Sequence, residues 1–133
     1  RMNSYVTETK AAAPDVARRH FQAMLAFETD CWDVHESLKA DDPDFVLLDV
    51  RGEGAYADGH IDGAVSLPHR EITAERMAAF PTGKLFVVYC AGPHCNGANK
   101  AAVRLAEIGL PVKMMIGGVT GWLDEGFELS KPA

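Results

Sequence analysis

Short apolar runs alternate with stretches of helical periodicity along this chain. Two of these runs, 85–89 and 45–50 with Asp49 near its end, are otherwise apolar throughout, which is typical of strands buried on both faces. Strands are predicted over 45–50, 65–67, 85–89 and 112–116. Helices are predicted from residue 14, after a cap at Asp30 or Asp33, and over 53–58, 71–80, 98–108 and 118–126. Strands that alternate with helices in this way indicate an α/β fold with a parallel sheet covered on both faces.

The N-terminal region adds a helix to this pattern. Residues 1–13 are predicted to be flexible, and residues 14–133 fit a single domain. Pro14 suits the first turn of a helix, whose apolar stripe follows at helical spacing. The stripe consists of Ala17, Phe21, Met24 and Leu25. Two roles are open for this helix: covering one face of the sheet, or forming a homodimer contact.

Composition and charge exclude several classes of function. Hydrophobic residues make up 47% and charged residues 24% of the chain, as in ordinary globular proteins. The net charge of −6 argues against nonspecific nucleic-acid binding and against attachment to an anionic membrane surface. No apolar run approaches the roughly 18 residues of a membrane span. The N-terminus has no apolar signal core, so a cytoplasmic location is expected. Three cysteines do not resemble a secreted disulfide framework.

The loop after the 85–89 strand concentrates the candidate chemistry. Cys90 ends the strand, and helical periodicity begins near Ala98. Amide groups of a tight loop and of a helix N-terminus favour anions, so a thiol placed there is expected to ionise readily. Ligands of such folds lie at the carboxyl ends of the strands. Alternatively, Cys90 is an inert buried thiol at a strand end.

Four segments in unbroken order resemble the rhodanese (sulfurtransferase) family, in a small single-domain form. They are Leu47-Leu48-Asp49-Val50-Arg51, then Tyr56 with Gly59-His60-Ile61-Asp62-Gly63-Ala64 and Leu67-Pro68, then Val87-Val88-Tyr89-Cys90, and finally Gly117-Gly118 with Gly121-Trp122. The resemblance covers about residues 33–129. It implies a rhodanese-like α/β fold, with a central parallel sheet of about five strands, helices on both faces, and the extra N-terminal helix.

The resemblance also implies a reaction. Cys90 attacks the outer sulfur of a small donor such as thiosulfate or a persulfide, becomes a persulfide itself, and passes that sulfur to a thiol acceptor. Loop amides hold the anionic groups, and neither a metal nor another cofactor is implied. Substrate contacts are implied for Ala91, Gly92, His94, Cys95, Asn96, Gly97 and Arg51.

Two departures from the family pattern leave alternatives open. The Ala101-Ala102 pair comes later than in the usual single-domain loop, which indicates an enlarged pocket and makes a sulfur-relay or binding module with low small-molecule turnover an alternative. Relatives that bind phosphate or arsenate have an arginine where this chain has Cys95, so a phosphatase or arsenate reductase is less favoured.

Several side chains have more than one interpretation. Cys95 is a bystander, a resolving thiol, or the nucleophile itself. His94 covers the loop or adds positive charge, and Arg51 closes a strand where Asp49 or Glu53 is available for an ion pair.

Outside the loop, His69 and Arg70 follow Pro68 and are expected near the pocket rim, where they would attract an anionic donor. His60 is expected to make a turn hydrogen bond, and Cys31 is expected to be a structural thiol. Zinc is not expected, because a structural zinc site needs four ligands and no second cluster is present.

Overall fold

The computed structural model describes residues 4–132. The strands are β1 (Glu28–Thr29), β2 (Phe45–Asp49), β3 (Val65–Ser66), β4 (Leu85–Tyr89) and β5 (Val112–Met115). The helices are α1 (Pro14–Phe27), α2 (Cys31–Ser37), α3 (Glu53–Asp58), α4 (Ala74–Met77), α5 (Gly97–Ile108) and α6 (Gly118–Asp124). None of the helices in this described range is both long and apolar enough to cross a membrane.

The five strands form one sheet in the order β1-β5-β4-β2-β3, and every neighbouring pair is parallel. This confirms the predicted α/β fold. The apolar runs form the centre, where β4 lies between β2 and β5. In the β2–β4 register Asp49 is opposite Tyr89, so Cys90 follows directly at the carboxyl edge of the sheet.

Helices cover both faces of the sheet, because alternate side chains of each central strand enter two separate cores. On one face Leu48 and Val88 pack with Ala101 and Leu105 of α5. On the other face the partners of the central strands are mainly α2 and α6. That core contains Cys31, Val34, Leu47, Ile61, Ala64, Val87, Tyr89, Met115 and Trp122.

The N-terminal helix is present as predicted but packs loosely. None of the side chains of α1 is buried, and those of Phe21 and Leu25 are 60% and 71% exposed. Of its two open roles, covering a sheet face is therefore the less well supported, since a cover would bury its apolar stripe. The predicted flexible segment 1–13 lies partly outside the described residues, which begin at Ser4.

Two elements differ from the sequence prediction. Strand β1 was not predicted, because it is only two residues long and is a strand only through its pairing with Met114 and Met115 of β5. The helix predicted over 71–80 is shortened to α4. The Thr73 hydroxyl accepts a hydrogen bond from the Arg76 amide at 3.1 Å and so starts the helix there.

A buried ion pair joins β2 to its surroundings. Asp49 is fully buried, and its carboxylate accepts hydrogen bonds from Arg51 Nε (3.0 Å to Oδ1) and Arg51 Nη2 (2.7 Å to Oδ2). The Tyr89 hydroxyl donates to Asp49 Oδ2 at 2.8 Å and accepts from the Ile61 amide at 3.1 Å. Arg51 Nη2 also donates to the Gly59 carbonyl at 2.6 Å. The network thus fixes β2, β4 and the 59–61 segment together.

Replacing Asp49 with alanine is expected to destabilise the fold by about 3–5 kcal/mol, because a largely buried Arg51 charge is left without its partner. The measurement is urea unfolding of the purified variant against the native chain. The matched control is Asp42→Ala, which breaks an exposed 2.8 Å ion pair with Lys84 and is expected to cost about 1 kcal/mol or less. Equal losses in the two variants would contradict this account.

Candidate active site

Cys90 lies at the carboxyl end of β4, in the position expected from the sequence. Its side chain is buried, with 6% of its surface exposed. The following loop, residues 91–96, leads into α5, whose first residue is Gly97. Since the first-turn amides of a helix have no partners within the helix, this end of α5 offers N–H donors to the loop region.

The first turn of helix α6 is hydrogen-bonded to the start of the loop. The Val119 amide donates to the Cys90 carbonyl at 3.0 Å, and both the amide and the hydroxyl of Thr120 donate to the Ala91 carbonyl, at 3.0 and 3.1 Å. Gly118 makes this approach possible, because a Cβ there would lie 2.5 Å from the Cys90 carbonyl oxygen. The loop carbonyls are therefore turned toward α6.

The two loop thiols lie together beside Gly97. A Cβ built on Gly97 would lie 2.8 Å from the Cys90 sulfur and 3.6 Å from the Cys95 sulfur. A turn closed by the Cys95 amide, which donates to the Gly92 carbonyl at 3.0 Å, brings Cys95 back over Cys90. Glycine at position 97 thus leaves the space that both sulfurs occupy.

The two thiols affect each other's ionisation in opposite directions. Burial, and next the interaction with the Cys95 side chain, raise the pKa of Cys90 above that of an ordinary cysteine. The interaction with the Cys90 thiol, and next the Gly97 amide, lower the pKa of Cys95. The expected acidification of Cys90 is therefore wrong for the resting pair, since the first negative charge is favoured on Cys95.

A cavity of about 470 Å³ opens on one side of the thiols. Its wall combines loop residues with the segments that follow β2 and β3. Its lining residues include Arg51, His69, Arg70, Cys90, Cys95 and Gly97. His69 and Arg70 thus lie at the pocket, as the order of the loops indicated. Burial, and next the charges of Lys100 and Arg70, lower the pKa of His69, so its ring favours the neutral form.

A second cavity of about 280 Å³ lies on the other side of the loop. It is lined by Cys90 and Cys95 together with Met114 and Ile116 at the end of β5, and with Asn99 of α5. Both cavities therefore have the two thiols in their walls.

The remaining candidate residues divide into three groups. Ala91, Asn96 and Gly97 line the larger cavity and Gly92 the smaller, whereas the exposed His94 is in neither lining set. Arg51 borders the larger cavity while it pairs with Asp49, the first of its two expected partners.

Side chains away from the loop have structural contacts. Cys31 donates to the carbonyls of Ile116 and Gly118, at 3.5 and 3.7 Å, and burial raises its pKa to about 11. His60 is hydrogen-bonded through Nδ1 to the Tyr56 carbonyl at 2.9 Å. Within residues 4–132 no three His, Cys, Asp or Glu side chains are grouped closely enough to hold a metal ion.

Sequence reasoning missed the second cavity and the residues that support the loop from α6. Asn99, Met114, Ile116 and Thr120 carry no motif of their own, and only the fold brings them to Cys90. The Gly117-Gly118 pair was the one available signal. Both residues have positive φ angles, of 89° and 57°, which a side chain at either position would oppose.

Comparison with known proteins gives consistent matches. A family model described as "Rhodanese-like domain" matches residues 33–125. Among curated proteins, the chain is similar to the HTH-type transcriptional regulator Rv0324 of Mycobacterium tuberculosis, with 33% identity over 87 residues. These residues are 65% of this chain and 38% of that regulator, so the chain spans well under half of its relative.

Solved structures show the same architecture. The BH2092 protein of Bacillus halodurans superposes with a TM-score of 0.85 and 36% identity, covering 90% of this chain and 87% of that one. A rhodanese-like domain from the Alr3790 protein of Anabaena sp. gives a TM-score of 0.68 and 26% identity, covering 79% of each chain.

The opposite pKa shifts of the loop thiols predict an order of alkylation. Because the thiolate is the reactive form, Cys95 is expected to reach half-maximal iodoacetamide reactivity at a lower pH than Cys90. Peptide mapping after short pulses at several pH values measures each site separately. Cys31, with its raised pKa and buried sulfur, serves as the unreactive internal control. A lower midpoint for Cys90 than for Cys95 would refute the ordering.

Proposed function

The chain belongs to the rhodanese-like domain family, and we propose that it is a sulfurtransferase that carries sulfane sulfur as a persulfide on Cys90. The observation that carries this proposal is the position of the Cys90 sulfur. It lies beside the first residue of α5, on the wall of a cavity that also contains Arg51 and Arg70. A nucleophilic thiol, amide donors and cationic side chains are what transfer from an anionic sulfur donor requires.

The larger cavity suits a small anionic donor such as thiosulfate. Arg70 is exposed on its wall and takes part in none of the ion pairs formed within residues 4–132. Arg51 is bound to Asp49 and contributes a fixed rather than a mobile guanidinium. We assign the donor to this side of the thiols, with Arg51, Ala91, Asn96 and Gly97 as its surroundings. His94 is outside both cavity walls, so we assign it the role of covering the loop.

The first half-reaction forms the persulfide. Cys90 first passes its proton to the neighbouring Cys95 thiolate. The Cys90 thiolate then attacks the outer sulfur of thiosulfate, a bond forms between the two sulfurs, and the bond to the sulfite group breaks. Sulfite leaves with the electron pair of that bond, and the Cys90 persulfide anion remains. The amides of Ala91 and Gly97 oppose the effect of burial on the pKa of Cys90, so they are placed to stabilise negative charge on its sulfur.

The second half-reaction returns the enzyme to its resting state. An acceptor thiolate attacks the outer sulfur of the Cys90 persulfide, and Cys90 leaves as a thiolate. The three cysteines of the chain are free, and this chemistry requires reduced thiols. We therefore propose a reducing compartment, the cytoplasm, as its location.

Sulfite release on addition of thiosulfate tests the proposal. The native chain is expected to release sulfite in a rapid burst, and to turn over when a small thiol is supplied. Cys90→Ser is expected to release none, because the hydroxyl is a far weaker nucleophile at neutral pH. Cys31→Ser is the matched control and is expected to behave as the native chain, since its sulfur only hydrogen-bonds two carbonyls.

The outcomes separate two functions. A burst without turnover by any small thiol would favour a sulfur-relay module that transfers its sulfur to a protein. Sulfite release that survives in Cys90→Ser would overturn the assignment of Cys90.

The charge of Arg70 is expected to affect donor binding rather than the fold. Arg70→Gln should raise the KM for thiosulfate roughly two- to fivefold with little change in kcat, because an exposed charge interaction contributes about 0.2–1 kcal/mol. Arg76→Gln makes the same charge change outside the cavity, over the Phe80 ring, and should leave the KM unchanged. The Arg70 effect should shrink at high salt. Identical KM values for the two variants would argue against a donor site beside Arg70.

A further inference from the structure

We propose that Cys95 resolves the Cys90 persulfide: the Cys95 sulfur attacks the Cys90 sulfur, a Cys90–Cys95 disulfide forms, and hydrosulfide leaves. This inference rests on the proposed function, because the persulfide on Cys90 is its starting point. It adds a second product, hydrosulfide, and an oxidised resting form of the site.

The arrangement of the loop supports this step. The two sulfurs lie 2.8 and 3.6 Å from a single point, the position of a Cβ on Gly97, so they share the space beside that residue. The turn closed by the Cys95 amide and the Gly92 carbonyl holds Cys95 against Cys90. An attacking thiol fixed next to its target reacts far faster than one that arrives from solution.

The order of ionisation suits the same roles. The Gly97 amide favours negative charge on the Cys95 sulfur, and the thiolate is the attacking form in thiol–disulfide exchange. Once the outer sulfur on Cys90 carries the negative charge, that sulfur can take up the proton held by Cys95. Proton transfer and attack then occur within one pair of side chains, and no further base is needed.

The step balances in atoms and electrons. The Cys95 thiol and the Cys90 persulfide anion give the Cys90–Cys95 disulfide and the hydrosulfide anion. The bond between Cys90 and its outer sulfur breaks, and the departing sulfur takes the electron pair and the proton. The transferred sulfur is reduced to sulfide, and the two cysteine sulfurs are oxidised to the disulfide. A thiol reductant restores both thiols by ordinary exchange.

The second cavity provides a place for the departing sulfur and for the reductant. Both thiols line this cavity of about 280 Å³, on the side of the loop away from Arg51 and Arg70. Hydrosulfide therefore need not pass the site where the donor binds. Cys31 belongs to the core on the opposite face of the sheet, so it is outside this exchange.

The experiment follows both products after thiosulfate is added to reduced protein without added thiol. Native chain, Cys95→Ser and the control Cys31→Ser are compared. Sulfite reports persulfide formation, hydrosulfide reports resolution, and intact mass distinguishes an added sulfur from the loss of two hydrogens. Peptide mapping without reduction identifies the cysteines in any disulfide. Cys95→Ala is measured in parallel, so that the result does not depend on the serine hydroxyl.

The expected result differs between the chains. Native protein and Cys31→Ser should release sulfite and then hydrosulfide in equal amounts, and should acquire a Cys90–Cys95 disulfide that dithiothreitol reverses. Both Cys95 variants should release sulfite, retain the added sulfur on Cys90, and keep it at least about tenfold longer than the native chain.

Two outcomes would overturn the inference. If the native chain keeps the added sulfur as long as the Cys95 variants do, Cys95 does not resolve the persulfide, although the sulfite burst would still support the proposed function. If none of the chains releases sulfite, the proposed function fails and the resolving step fails with it.

Discussion

The carboxyl edge of the sheet depends on one buried contact, the ion pair between Asp49 and Arg51. Burying a carboxylate away from solvent is costly unless its oxygens accept hydrogen bonds. Here Arg51 and the Tyr89 hydroxyl donate hydrogen bonds to the Asp49 carboxylate. Burial raises the pKa of Tyr89, so its hydroxyl keeps the proton that it donates. Tyr89 is the residue before Cys90, and the network therefore holds in place the strand end from which the reactive loop begins.

In the loop itself, backbone carbonyls and backbone amides point to opposite sides. On one side, amides of α6 donate hydrogen bonds to the carbonyls of Cys90 and Ala91. On the other side, amides of the loop and of α5 are free to interact with the sulfurs. The division needs two glycines for different reasons. Gly118 lets α6 approach the loop carbonyls, and Gly97 leaves room for the sulfurs. An anion site of this kind is built from backbone, so it constrains only the residues that must be small.

Local periodicity predicted most of the fold, and physical reasons explain where it did not. The runs 45–50 and 85–89 became the central strands because a strand buried on both faces is largely apolar, and the one charge among them, Asp49, is paired with Arg51. Strand β1 escaped prediction because two residues carry no period, and its pairing with β5 depends on the distant chain. The strand-loop-helix pattern placed Cys90 at the carboxyl end of a central strand, and the structure has it directly after β4. The second cavity escaped prediction because its wall comes from β5, α5 and the loop together.

The ionisation of the thiols was the expectation that the structure changed most. Sequence reasoning considered Cys90 alone in a field of amides, and that field favours its thiolate. The structure adds a second thiol at the same place, and two sulfurs so close share one negative charge rather than two. Burial disfavours the charge on Cys90, whereas the interaction with the Cys90 thiol and the Gly97 amide favour it on Cys95, the more exposed of the two. Because one proton separates the two forms, the less acidic Cys90 remains available for the attack that we propose, and the pair shares one proton between two sulfurs.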